Sequence, residues 1–153
     1  MRPRQTTRLR LEELERRDAP SPLGNTPDCH KINTAFEGHL TGPSSTAGVI
    51  RSGLLRGTTE FSGTFTDAQG DYVGTLVITT AHGTVTLQDQ GHLNFTTGEF
   101  TDQLTVTGGT GRFAGSTGTL SDHGFVNFQT GSLATDCFTG QVCLVPGGAE
   151  QEP

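Results

Sequence analysis

Thr86-Leu87-Gln88-Asp89-Gln90-Gly91-His92-Leu93-Asn94-Phe95-Thr96-Thr97-Gly98 returns 33 residues later as Thr119-Leu120-Ser121-Asp122-His123-Gly124-Phe125-Val126-Asn127-Phe128-Gln129-Thr130-Gly131. Apolar and polar residues alternate in each copy, the period of a strand with one buried face. Each copy carries a Gly in mid-strand, expected to mark a bulge or bend, and ends in Asn-Phe-x-Thr-Gly. There the terminal Gly supplies the positive φ that a reversing chain needs. Two equivalent bends predict a curling sheet. A solenoid needs at least about three copies, so closure into a barrel is the better account of two.

Outward from the repeat, Thr, Val, Phe and Leu keep alternating with polar residues, and Gly punctuates the pattern. Strands are predicted over 32–41, 54–66, 72–80, 83–95, 99–107, 117–128 and 132–144, the second open to being broken, with Ala68-Gln69-Gly70-Asp71 the clearest turn. Composition agrees. The chain has 26 Thr and 22 Gly in 153 residues, one Lys, no Trp and 31% apolar content. Such a chain builds one modest core, which excludes a helical protein and a large multidomain enzyme. Its longest apolar run, Val142–Val145, is four residues, against roughly 20 for a bilayer-crossing helix. No membrane span is expected.

Six of the ten basic residues (Arg2, Arg4, Arg8, Arg10, Arg16 and Arg17) fall in the first 17 positions, beside three acids. Residues 18–153 therefore hold four bases against 13 acids, a formal charge of −9. That field repels nucleic-acid phosphates, and Lys31, Arg51, Arg56 and Arg112 are too scattered to form a basic footprint. Nucleic acid is excluded as a partner.

Cys29, Cys137 and Cys143 allow one disulfide and leave one thiol. Two pairings stay open: Cys29–Cys143, joining the first strand to the last, and Cys137–Cys143 across a hairpin near Gly140. A zinc site from Cys29, His30, Cys137 and Cys143 lacks the paired Cys-x-x-Cys spacing. No metal and no cofactor are expected.

Residues 8–17 suit a short charged helix, with Glu12–Arg16 and Glu13–Arg17 as i,i+4 pairs and Pro20 ending it. The apolar stretch and small-residue cleavage site of a secretory signal are missing. Leu11-Glu12-Glu13-Leu14-Glu15-Arg16-Arg17-Asp18-Ala19-Pro20-Ser21 resembles the planctomycete extracellular N-terminal motif, Leu-Glu-x-Leu-Glu-x-Arg-x-x-Pro-Ser. That resemblance implies export, to an extracellular or cell-surface location. The expected organisation is an address motif over 1–21, a Pro- and Gly-containing linker over 22–31, a barrel over 32–145 and a disordered tail over 146–153.

Gly108-Gly109-Thr110-Gly111-Arg112-Phe113-Ala114-Gly115-Ser116-Thr117-Gly118 is no phosphate loop, because no Lys-Ser or Lys-Thr follows and it joins strand to strand. With the preceding Leu104-Thr105-Val106-Thr107 it resembles the allene oxide cyclase barrel-like superfamily and its dirigent-like relatives. The resemblance runs over about residues 32–145 and is most specific at 104–118. It implies an eight-stranded antiparallel barrel. The expected fold class is thus all-β: a closed antiparallel β-barrel of about eight strands, calycin-like or allene oxide cyclase barrel-like, with a short N-terminal helical leader.

If the mid-strand Gly preserves register, Leu87, Asp89, Leu93 and Phe95 share a face, as do Leu120, Asp122, Val126 and Phe128; Phe100, Asp102, Leu104 and Val106 repeat the arrangement. Carboxylates among apolar side chains are costly unless paired. Asp89, Asp102 and Asp122 are accordingly candidate catalytic groups, a polar cluster of raised pKa suited to acid or base work on an apolar ligand. The alternatives are that the Gly91 and Gly124 bulges flip the register, or that each Asp caps a turn or sits at the rim. Glu37, two residues from His39 on the first strand, is a further catalytic candidate. Leu87, Phe95, Leu104, Val106, Leu120 and Phe128 are the candidate ligand-binding lining. His82 and His92 read as surface, and Arg112 as a counter-ion for an acid or a loop anchor. Asn94-Phe95-Thr96 fits a glycosylation acceptor but is read as chance beside a bacterial-type leader.

No nucleophile elbow or His-Glu-x-x-His motif marks an enzyme. The expected function is a secreted or cell-surface barrel, non-catalytic, binding a small apolar ligand or serving a structural role. The alternative is a cyclase or isomerase that holds a flexible apolar substrate in a reactive conformer. Calcium-mediated adhesion ranks last for want of an Asp-x-Asp-x-Asp-Gly loop. The expected partner is a small apolar ligand, and a homo-oligomer stays open.

Overall fold

The computed structural model describes residues 26–146. The expected leader helix, the export motif, residues 22–25 of the linker and the tail beyond 146 lie outside the described residues. Nine strands follow in chain order: β1 (Asp28–Thr34), β2 (Phe36–Gly42), β3 (Ser45–Ile50), β4 (Gly57–Phe65), β5 (Asp71–Thr80), β6 (Gly83–Leu93), β7 (Glu99–Gly109), β8 (Thr117–Val126) and β9 (Ser132–Leu144). Among the described residues the helical content is one 3-10 turn, Gly111–Phe113.

Every pairing is antiparallel, from β2 through to β9 in sequence, and the thirteen-residue β9 closes the sheet. One side of β9 pairs with β8, and the other takes β1 along 138–144 and β2 along 132–134. β1 and β2 are therefore one stave bent at Ala35. At the bend the Thr135 hydroxyl accepts from Phe36 N at 2.8 Å and donates to Phe36 O at 3.3 Å, replacing the interrupted ladder. The result is a closed eight-stave barrel with a ninth strand made by the break. Closure removes the unpaired edges that an open sheet of this length would expose.

The alternation expected of the strands holds, and it decides what enters the lumen. β7 reads outside-inside along its length, with Phe100, Asp102, Leu104 and Val106 buried and the Thr and Gln between them exposed. Ile50, Leu76, Ile78, Val85, Leu87, Leu104, Leu120 and Val142 form the core with their neighbours. One end is closed by side chains from its loops. Leu55, between β3 and β4, and Phe113, in the 3-10 turn between β7 and β8, are both fully buried in that core. The Gly-rich stretch 108–118 is thus a plug carrier, and Arg112 lies at this closed end.

Several expectations need correction. β3 was not anticipated: its residues are all half-buried until Ile50, so no alternation announces it. Residues 28–31, expected as linker, are strand. Gly91 causes no register shift, whereas the bulge expected at Gly124 is present, at His123/Gly124 in the β8–β9 pairing; further shifts fall at Thr86/Leu87 in the β6–β7 pairing and at Leu40/Gly42 in the β2–β3 pairing. Of the two pairings left open, the disulfide is Cys29–Cys143, cross-strand partners in β1 and β9. Cys137 is an exposed free thiol. Gly140 is not a turn but a mid-strand residue, so Cys137 and Cys143 stand six residues apart on one extended strand. That is a separation of about 20 Å at roughly 3.3 Å per residue, which no disulfide spans.

Candidate functional site

The other end of the barrel carries the connections 43–44, 66–70, 94–98 and 127–131. Two of these are the repeated turns. Asn94 Oδ1 accepts from Thr96 N and Thr97 N, and Asn127 Oδ1 accepts from Gln129 N and Thr130 N in the same way. Gly98 and Gly131 close the two loops at φ 83° and 79°. The shared motif is therefore a turn, and Phe95 and Phe128 ride on it outside the lumen, 49% and 48% exposed. Their assignment to the lining fails because β6 ends at Leu93 and β8 at Val126, so strand alternation no longer governs the next Phe. Leu87, Leu104, Val106 and Leu120 do point inward.

Inside this end the three candidate aspartates come together. Asp102 and Asp122 are direct cross-strand partners in β7 and β8. Asp89, in β6 opposite Leu104, is the diagonal neighbour of Asp102. They are 4, 5 and 5% exposed for Asp89, Asp102 and Asp122. Neither register reversal nor a capping role takes them out of the lumen. Tyr72, from β5, completes the group: its hydroxyl donates to Asp102 Oδ1. Tyr72 reaches Asp102 across β6 because Gly91 stands between them in register. A Cβ at Gly91 would land on Asp102 Oδ1 and on the Tyr72 ring.

Burial dominates the electrostatics. It pushes Asp89 up to about 9 and Asp122 up to about 11, with the charge of Asp102 adding to both. Burial also raises Asp102, opposed by hydrogen bonds from Asp122, Tyr72 and Asp89. Tyr72 is raised by burial and then by Asp102. Carboxyls this close cannot all ionise, and the bonding pattern selects the one that does. Asp102 is the shared acceptor, while Asp89 and Asp122 keep their protons at neutral pH and donate to it. One oxygen on each donor, Asp89 Oδ1 and Asp122 Oδ1, is left buried with no partner.

The three aspartates line a cavity of about 80 Å3 that continues past Phe61, Phe65 and Leu93 to the Pro43–Ser44 turn. Drug-sized ligands occupy about 300–1,000 Å3, so this space admits a small head group or a few waters. The walls are aromatic. Phe61 and Phe65 pack on Tyr72 at centroid distances of 5.7 and 5.8 Å, and Phe65 meets the surface Phe95 at 5.3 Å.

Other candidates lie elsewhere. Glu37 is on the outer face, 3.5 Å from Arg51, and joins no aspartate. His82 and His92 are exposed, and His92 pairs with Asp71 at 2.7 Å. His123, beside the inward Asp122, points outward between Glu99 and Asp136 at 2.7 and 2.8 Å, and both carboxylates raise its pKa. Among the described residues no three Asp, Glu, His or Cys side chains converge as a metal's ligand set. Sequence reasoning missed Tyr72 and its aromatic neighbours. The one available signal was that Tyr72 is the single Tyr of a chain without Trp.

No family model matches the sequence, and no curated protein does. Among solved structures the chain is similar to the pterocarpan synthase dirigent protein GePTS1, at 12% identity and a TM-score of 0.36, over 79% of this chain and 93% of that one. A likeness that distant assigns neither family nor ligand. The barrel rests on its own strand pairing.

Proposed function

We propose that this chain is an exported barrel that binds a small ligand with an apolar body, held with its polar end against Asp89, Asp102 and Asp122. The observation that carries the reading is the set of three buried aspartates, two of them with an unpartnered oxygen, lining an apolar-walled cavity. Buried polar atoms are nearly always hydrogen-bonded, and the polar end of a ligand would bring donors to a cluster that has unpartnered oxygens. Export is supported by the resemblance of residues 11–21 to the planctomycete extracellular motif and by the Cys29–Cys143 disulfide, a bond of oxidising compartments. The resemblance of residues 104–118 to the allene oxide cyclase barrel-like superfamily fits a lumen of this kind.

A second reading, cyclase or isomerase action on a flexible apolar substrate, is favoured by one observation. Asp89 and Asp122 retain protons at neutral pH, as a general acid must. Native mass spectrometry of the exported chain tests the first reading. The expected spectrum shows an oxidised Cys29–Cys143 pair and a small adduct that denaturation releases. Tyr72, the lone fluorescent side chain of note, reports occupancy: its emission should change as 1-butanol is titrated into stripped protein. No adduct together with an unresponsive Tyr72 overturns the proposal.

A further inference from the structure

The cluster has a charge without a counter-ion. Asp102 receives donors from Tyr72, Asp89 and Asp122, and three donors on one carboxyl favour its carboxylate form. A buried carboxylate is ordinarily paired with a cation. The described residues hold four Lys and Arg, namely Lys31, Arg51, Arg56 and Arg112, and none of them lines the cavity, nor does any His. Among the described residues the titratable groups bonded to Asp102 are Tyr72 of β5, Asp89 of β6 and Asp122 of β8. A net negative charge and two further buried carboxyls, each with an unpartnered oxygen, therefore line one cavity.

We infer that the lumen takes a primary ammonium: a small amine whose charged end sits against the Asp102 carboxylate, with the Asp89 and Asp122 carboxyls beside it, while its alkyl tail lies between Phe61, Phe65 and Leu93. This rests on the ligand-binding reading above and specifies the polar end of that ligand. An ammonium supplies both missing quantities, the positive charge and the donors, and needs no proton transfer to do so. A hydroxyl supplies at most one donor and no charge. The aromatic walls favour the same occupant, because a cation within about 6 Å of a ring face is attracted to it. The cavity of about 80 Å3 holds the head group, and the tail leaves toward Pro43.

The test compares n-butylammonium chloride with 1-butanol at pH 7, by calorimetry and by Tyr72 emission, on the full chain with its disulfide intact. The expected result is at least about tenfold tighter binding of the amine, a preference worth about 1.4 kcal/mol. Asp102→Asn should reduce that preference to threefold or less while 1-butanol binding persists. Acidification should reduce it as well, as Asp102 takes up its proton. Should Asp102→Asn fail to fold, the acidification series on the unmodified chain decides the matter alone. Equal or tighter binding of 1-butanol overturns the ammonium and leaves the ligand-binding reading standing. Binding of neither compound overturns both. An amine preference that survives Asp102→Asn and acidification places the amine on the outer acidic surface and overturns the assignment.

Discussion

The two halves of the lumen are built by the same strands and differ by a step of two residues. In the closed half β6, β7 and β8 contribute Leu87, Leu104 and Leu120; one inward position nearer the other rim they contribute Asp89, Asp102 and Asp122. The closed half is packed with apolar side chains and plugged by Leu55 and Phe113. The open half keeps a cavity, aromatic walls and carboxyl oxygens without partners. Inward direction is fixed by the pleat and is indifferent to chemistry. The closed half therefore holds the barrel together, and the open half carries a polarity that folding alone does not call for.

That division is most directly broken at Phe113. Phe113→Ala removes a fully buried ring from the closed end and should cost about 3–5 kcal/mol in urea unfolding. Phe65→Ala, in the half-buried wall of the open end, should cost clearly less and act on ligand binding instead. Equal costs would mean that the two ends share one structural role.

Gly91→Ala comes next. The added methyl meets the Tyr72–Asp102 contact from within β6, and overpacking of a buried site costs about 1–3 kcal/mol. Tyr72 emission should change with it, since a nearby carboxylate acceptor is displaced. A variant of unchanged stability and unchanged emission would show that Tyr72 does not pass over Gly91.

The division was legible in the sequence only up to the point where register mattered. Alternation within 99–107 placed Asp102 with Leu104 and Val106, and the repeat placed Asp89 and Asp122 in equivalent positions. A single sequence does not say which residues of neighbouring strands face each other. The Asp102–Asp122 pairing and the reach of Tyr72 across Gly91 come from long-range register, so Tyr72 went unseen. Phe95 and Phe128 were misplaced by carrying alternation past the last strand residue into Asn-headed turns. β3 escaped because Gly48 lies opposite Gly38 in the barrel wall, and a stretch with so little side-chain contrast has no period to read.

The smallest effect at the outset, and the one that grows with pH, is expected of the pair Asp89→Asn and Asp122→Asn made together. Both carboxyls have native pKa values well above the unfolded value, about 9 and about 11, against about 3.9 in the unfolded chain. The folded state thus binds more protons than the unfolded state between about pH 4 and pH 9, so their contribution to stability is full below about pH 4 and declines as pH rises. Asn mimics the protonated acid in shape and charge. At pH 3, below the unfolded value, the double variant and the parent should therefore unfold at nearly the same urea concentration. By pH 8 the parent's midpoint should have fallen and the variant's should lie above it. His123 also loses its stabilising ion pairs as pH rises through its raised pKa, but it is present in both proteins and cancels from the difference. A gap that stays constant from pH 5 to pH 8, where the raised values require it to widen, would mean that Asp89 and Asp122 are ionised in the folded barrel, and the open half would then be a solvated mouth with no buried acid cluster at all.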